Sequence, residues 1–162
     1  MFMKKNLNIL ILLLGSVFIQ IFLTRNIICF PDIILLVVVF AGIFLGAGSG
    51  AWVGITAGFL RGCFSCGTIF LDISLFLIIG INSSFLAEKF YKYNPVVQSF
   101  ISGAAIFITI TGRTLYFNVA GGNPVSILSP YAANWKMIGI TILLSPIFFA
   151  FAKKIVKING ES

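Results

Sequence analysis

The chain has 162 residues, of which 59% are hydrophobic and only 9% are charged. An ordinary soluble domain carries about 25% charged residues, so this composition excludes a soluble fold, which would need polar surface around its core. The net charge of +7 comes from basic residues beside apolar runs, where they anchor helix ends to lipid head groups. The basic residues do not form a clustered face of the kind that binds nucleic acid. The sequence therefore predicts an integral membrane protein in contact with the lipid bilayer.

Apolar runs predict an all-α bundle of about six transmembrane helices in a single polytopic membrane domain, residues 1–162. We interpret the first run as a retained helix, because it is longer than a usual signal-peptide core and lacks a clear cleavage site. Pro31 and Asp32 fall in the first turn of the second helix, where proline is tolerated and a carboxylate faces the positive end of the helix dipole. The predicted helices are 7–23, 28–45, 51–64, 69–86, 96–117 and 135–152.

The distribution of basic residues predicts the orientation of the bundle. With six spans, seven lysines lie on the side of the two termini, and Arg25, Arg61, Arg113 and Lys136 lie at the opposite boundary. Because cytoplasmic segments carry the excess of Lys and Arg, we expect both termini in the cytoplasm. One span fewer would place the C-terminus outside.

Glycine recurs at every fourth residue from Gly42 to Gly62. Small residues at this spacing let helix backbones approach closely in lipid, where packing drives helix association. Two interpretations stay open, namely internal helix packing, which we favour, and a docking groove for the transmembrane helix of a partner. The residues assigned to this surface are Gly46, Gly50, Gly54, Gly58 and Gly62.

Asp72 and Arg61 are the most unusual charges of the sequence, because both fall within predicted helices near the same membrane boundary. An ionisable residue in such a position usually pairs, or faces protein or water. We favour an ion pair, or an arginine that extends to head groups beside an aspartate at a helix N-terminus. The alternative is a polar pocket at the outer end of the bundle, with Arg61, Asp72, Arg113, Asn118, Asn123 and Asn134 as candidates.

The sequence offers little for catalysis or metal binding. Cys63 and Cys66 form a C-x-x-C, which we interpret as two small apolar residues, although an oxidising compartment would permit a disulfide. Three Cys and no His cannot supply the four ligands of a structural zinc site. No nucleophile stands with a base, and no phosphate-binding loop motif occurs. We therefore predict a protein that is not an enzyme and has neither metal nor cofactor.

Several segments between Phe30 and Gln98 carry a family resemblance. In order, they are the stretch that begins Phe30-Pro31-Asp32, the run Gly54 to Leu60, a polar turn over 61–68, a helix ending at Gly80, and Asn94-Pro95-Val96-Val97-Gln98. This order resembles the bacterial rod shape-determining protein MreD family. Many relatives have an acidic residue directly after the glycine run, where this chain has Arg61.

The resemblance implies a non-enzymatic component of the cell-elongation complex, or elongasome, in the bacterial cytoplasmic (inner) membrane. This complex directs lateral peptidoglycan synthesis in the cell wall and so sets cell shape. The expected partner is MreC, and through it MreB, RodA and a penicillin-binding protein. The family's fold is similar to the S component of energy-coupling-factor transporters. The alternative function is therefore a small-molecule-binding S component of a vitamin transporter, and fold alone does not decide between the two.

Overall fold

The computed structural model describes residues 2–26, 31–64, 68–91, 93–121 and 128–156, which form six α-helices and no strand. The helices are α1 (Phe2–Asn26), α2 (Ile33–Leu45), α3 (Ala47–Phe64), α4 (Ile69–Lys89), α5 (Pro95–Gly121) and α6 (Leu128–Val156). In the described part, Ile69–Lys89, Pro95–Ala120 and Ser129–Val156 are long and apolar enough to cross a membrane. The chain is therefore an all-helical membrane protein, as its composition predicts.

The short helix α2 is the buried centre of the bundle. All of its residues from Ile33 to Ile43 are buried, and it contacts each of the other five helices. A helix that is apolar on every side is suited to this position, because it has no polar face to present to water. Its 13 residues span about 20 Å, which is less than the roughly 30 Å hydrocarbon core of a bilayer. Both ends of α2 must therefore find their hydrogen-bond partners within the protein.

The start of α2 differs from the predicted start. The helix begins at Ile33 and not at residue 28, so Pro31 and Asp32 precede it and do not lie in its first turn. Asp32 is the N-cap, and its side chain accepts a hydrogen bond from the backbone N–H of Leu35 at 3.2 Å. The carboxylate thereby satisfies one of the N–H groups that a helix start leaves unpaired. Residues 28–30 of the predicted helix lie outside the described residues.

The glycines of α3 bring it into direct backbone contact with α4. A Cβ atom built on Gly58 would lie 2.5 Å from the Cα of Ile73, and one on Gly62 would lie 2.6 Å from the Cα of Ile69. Gly50 and Gly54 meet the backbone of α4 in the same way. The structure therefore shows internal packing on this face, and α4 leaves no room there for the helix of a partner.

Gly46 is a turn residue and does not belong to the packed glycine face. It ends α2 with a φ of +89°, in the left-handed region that only glycine adopts without strain, and no atom lies within 4 Å of a Cβ built on it. The connection of residues 46–50 between the predicted helices 28–45 and 51–64 is therefore too long. One residue makes the turn, and α3 begins at Ala47 instead of residue 51.

Helices α5 and α6 are longer than predicted, and the predicted loop over 118–134 is shorter. Helix α5 continues to Gly121, and α6 begins at Leu128, so only residues 122–127 lie between them, outside the described residues. Pro130 does not interrupt α6, because it lies in the first turn, where a missing N–H has no partner to lose. This extension brings the first turns of α6 beside the end of α5.

Candidate functional site: a charged cavity at one end of the bundle

Two ion pairs lie at the end of the bundle where α2 begins. Arg61 of α3 contacts Asp32 with 2.5 Å between Nη1 and Oδ2, and Arg113 of α5 contacts Asp72 of α4 with 2.5 Å between Nη2 and Oδ1. The carboxylate side chains are 4% and 0% exposed, whereas those of the two arginines are 20% and 28% exposed. A carboxylate buried this deeply is strongly destabilising without a cation, so each arginine supports its own aspartate.

These partners differ from the pair that the sequence suggests. Asp72 does not pair with Arg61, although both residues are at the same end of the bundle. Its second oxygen accepts a hydrogen bond from the Thr68 hydroxyl at 3.2 Å, and Arg61 lies over the ring of Phe76 at 5.2 Å. The pairings join positions 29 and 41 residues apart, so they depend on which helices are neighbours, which spacing along one helix cannot reveal.

The backbone around Asp32 is satisfied by side chains from two distant helices. The N–H of Asp32 donates to the Thr141 hydroxyl of α6 at 3.0 Å, and the N–H of Ile33 donates to the amide oxygen of Gln20 in α1 at 2.9 Å. A backbone N–H group inside a membrane protein needs a partner from the protein itself, and these two side chains supply it. Sequence reasoning missed Gln20 and Thr141, and the available signal was a polar residue within an otherwise apolar helix.

A cavity of about 480 Å³ lies beside the ion pairs, between α2, α3, α5 and α6. Its polar lining consists of Asp32, Arg61, Thr109, Arg113, Thr114, Asn118 and Asn134. Its apolar lining consists of Leu35, Ile106, Ile110, Phe117, Pro130 and Met137. Asp72 does not line the cavity but holds Arg113 at its wall. The candidate pocket residues therefore come together, whereas Asn123 lies outside the described residues.

A second concave surface, the α1–α3 groove, lies at the other end of α2. It measures about 550 Å³ and is lined by Ile9, Leu10, Leu13, Leu45, Gly46, Ala47, Gly48, Ser49, Trp52, Val53 and Thr56. Gly48 is exposed, and no atom lies within 4 Å of a Cβ built on it. The groove is therefore an open, mostly apolar surface with four consecutive small residues on one wall.

Metal and thiol chemistry find no support in the part of the chain that the structure describes. There, no group of three or more His, Cys, Asp or Glu side chains is placed to hold a metal ion. Cys63 is exposed in the last turn of α3, and Cys66 lies outside the described residues. The charged cavity and the α1–α3 groove are two concave surfaces of the described residues on which a function can be built.

Comparison with known proteins gives no match, since no family model, no curated protein and no solved structure aligns with this chain. The fold and the site define the class, which is a helical membrane protein with a charged cavity at one end of its central helix and an apolar groove at the other. A more specific function has to follow from these two surfaces together with the family resemblance of residues 30–98.

Proposed function

We propose that the chain is a non-enzymatic membrane subunit of the bacterial cell-elongation complex that binds a transmembrane helix of MreC. The resemblance of residues 30–98 to the MreD family supplies the partner. The observation that carries the proposal is the open α1–α3 groove, a surface of small and apolar residues that none of the six described helices covers. The function is thus scaffolding, in which the bundle holds a partner that links it to MreB, RodA and a penicillin-binding protein.

The lining of the groove suits a helix in lipid. Gly46, Ala47, Gly48 and Ser49 present almost no side-chain bulk, so the backbone of a second helix can approach closely. Leu10 on one side is 46% exposed, and Trp52 on the other is 72% exposed. These two large side chains are free to pack against the flanks of an incoming helix, where van der Waals contact replaces contact with lipid tails.

The part of the glycine-rich segment that is available to a partner is the stretch from Gly46 to Ser49. Gly50, Gly54, Gly58 and Gly62 are buried against α4, whereas the residues from Gly46 to Ser49 retain exposed or half-buried surface. The glycine run therefore divides into a covered stretch that holds the bundle together and an open stretch that binds MreC. This division favours helix docking in the α1–α3 groove over docking on the α3–α4 interface.

The proposed subunit crosses the bacterial cytoplasmic membrane six times, with both termini in the cytoplasm. The excess of lysine near the termini and in the segment between α4 and α5 supports this orientation. The charged cavity then lies toward the outer side, and the α1–α3 groove lies toward the cytoplasmic side, because α2 runs between them.

The test is co-purification of MreC with the tagged chain in mild detergent. Gly48→Leu fills the groove with a side chain whose Cβ meets no other atom, so we expect the fold to persist and recovery of MreC to fall about tenfold. Gly15→Leu is the matched control, because Gly15 is also a helical glycine with open space around it but does not line the groove.

Three outcomes decide the proposal. Loss of MreC with Gly48→Leu but not with Gly15→Leu supports it. Equal recovery of MreC with both variants would refute the groove as the binding surface. Recovery of an ATPase module or a tightly bound vitamin, with no MreC on the unmodified chain, would replace the proposed function with that of a transporter S component.

A further inference from the structure

The two arginines beside the charged cavity have hydrogen-bond donors to spare. A guanidinium group carries five N–H donors. Arg61 uses its Nη1 atom on Asp32, and Arg113 uses Nε and Nη2 on Asp72. The Nη2 atom of Arg61 and the Nη1 atom of Arg113 have no hydrogen-bond partner among the described residues. Both side chains line the cavity, so it presents donors that suit the oxygen atoms of a ligand.

The charges around the cavity already cancel. Asp32 and Asp72 neutralise Arg61 and Arg113, so a bare anion would add an uncompensated negative charge beside side chains that are mostly buried. The cavity also offers acceptors, because among the described residues each oxygen of Asp32 accepts one hydrogen bond and can accept another. A group that carries both charges, an oxyanion and an ammonium, therefore fits this lining better than an anion or a cation alone.

The rest of the cavity wall is apolar. Leu35, Ile106, Ile110 and Met137 belong to this wall, and so does Phe117, with 52% of its surface exposed. The volume of about 480 Å³ is within the usual range of ligand pockets, roughly 300–1,000 Å³, and is too small for a whole lipid. It fits a polar head with the first part of an apolar chain, the remainder of which would stay in the bilayer.

We infer that this cavity binds the head group of a zwitterionic phospholipid. The phosphodiester accepts hydrogen bonds from Arg61 and Arg113, and the ammonium donates to the oxygen atoms of Asp32 and Asn134. The apolar wall contacts the upper part of the acyl chains. This site is separate from the proposed MreC groove, because the two lie at opposite ends of α2.

The experiment measures retained lipid by native mass spectrometry on the full chain, purified in detergent and depleted of lipid. The probes are phosphatidylethanolamine, which is zwitterionic, phosphatidylglycerol, which is anionic, and glycerophosphoethanolamine, the soluble head group without acyl chains. We expect one phosphatidylethanolamine per chain, bound about tenfold more tightly than phosphatidylglycerol, because only the first leaves the site uncharged. We expect the soluble head group to bind at least about tenfold more weakly, because it lacks the apolar contacts.

A matched pair of variants tests whether the lipid binds in the cavity. Met137→Trp fills the cavity without altering an ion pair, and Ile140→Trp adds the same ring to an exposed position of the same helix. We expect the first to lower retention of phosphatidylethanolamine about tenfold and the second to leave it unchanged. Circular dichroism checks that both variants fold. The comparison of lipids on the unmodified chain remains decisive even if Met137→Trp fails to fold.

Each contrary outcome overturns a stated part of the inference. Equal retention of the two phospholipids would refute selection of a zwitterion. Unchanged retention in a folded Met137→Trp variant would place the lipid outside the cavity. Equal binding of glycerophosphoethanolamine and the whole lipid would show that the ligand is a soluble zwitterion and not a lipid. None of these results depends on MreC, so failure here leaves the proposed scaffolding function standing.

Discussion

Replacing Gly58 with alanine tests whether the α3–α4 contact holds the bundle together. The new Cβ would lie 2.5 Å from the Cα of Ile73, 2.6 Å from the carbonyl oxygen of Asp72 and 2.7 Å from the backbone nitrogen of Ile73. Ordinary contacts between carbon atoms are about 3.5–4.0 Å. All three neighbours are backbone atoms that cannot rotate away, so α3 and α4 must separate by about 1 Å.

The magnitude follows from two opposing terms. Overpacking a tight interior costs about 1–3 kcal/mol, and the upper half of that range applies because the clash involves backbone. Alanine recovers about 1 kcal/mol relative to glycine within a helix. The free energy of unfolding should therefore fall by about 1–2 kcal/mol. Gly54→Ala acts on the same interface, so the double variant should lose less than the sum, because one displacement of α4 relieves both clashes.

The assay is equilibrium unfolding of the purified chain in mixed detergent micelles, followed by far-ultraviolet circular dichroism. Gly15→Ala is the control, because a Cβ there meets no atom within 4 Å and only the helix-propensity gain applies. Stability of Gly58→Ala equal to that of Gly15→Ala would refute the backbone contact as the source of stability. Because the carbonyl of Asp72 is one of the clashing atoms, a displaced α4 should also disturb the ion pair with Arg113.

Two further substitutions test the charged contacts at the two ends of the bundle. Asp72→Asn leaves Arg113 without its anion and should lower the free energy of unfolding by about 3 kcal/mol. The control Glu88→Gln, at an exposed position of the same helix, should change it by less than about 0.5 kcal/mol. A similarly small effect of both variants would show that the buried pair contributes little. Lys153→Met removes an ammonium that lies 4.4 Å and 4.8 Å from the ring centres of Phe44 and Tyr93, so the free energy of unfolding should fall by about 1 kcal/mol. The control Lys154→Met, at the exposed neighbouring position, should leave it unchanged. Equal melting temperatures of the two variants would contradict a cation–π contribution.

Features that depend on local pattern could be predicted from the sequence. The regular spacing from Gly50 to Gly62 indicated close helix packing, and the structure places these residues against the backbone of α4. The centre of each of the six predicted helices lies within a helix of the structure, because long apolar runs have few alternatives in lipid. The start of α2 was harder to predict, because an apolar sequence before Pro31 does not by itself show where the helix begins.

Features that depend on which helices are neighbours could not be predicted. Arg61, Asp72 and Arg113 stood out as charges in apolar surroundings, but nothing in their spacing showed that Arg61 would pair with Asp32. The polar side chain of Thr141 within an apolar helix did not reveal a distant partner, because a threonine in a membrane helix commonly bonds to its own backbone, as this one also does to Met137. Its second role, at the start of α2, exists only because α6 lies beside it.

The hydrogen bond between Thr141 and the backbone of Asp32 joins parts of the chain that are synthesised at different times. A ribosome completes α2 while more than ninety residues, α6 among them, are still to be made. During that interval the N–H of Asp32 lacks its partner from α6, and an unpaired donor in hydrocarbon costs several kcal/mol. Helix α6 thus completes the hydrogen bonding at the start of α2, and a nascent chain that stalls after α5 leaves that backbone N–H without its partner from α6.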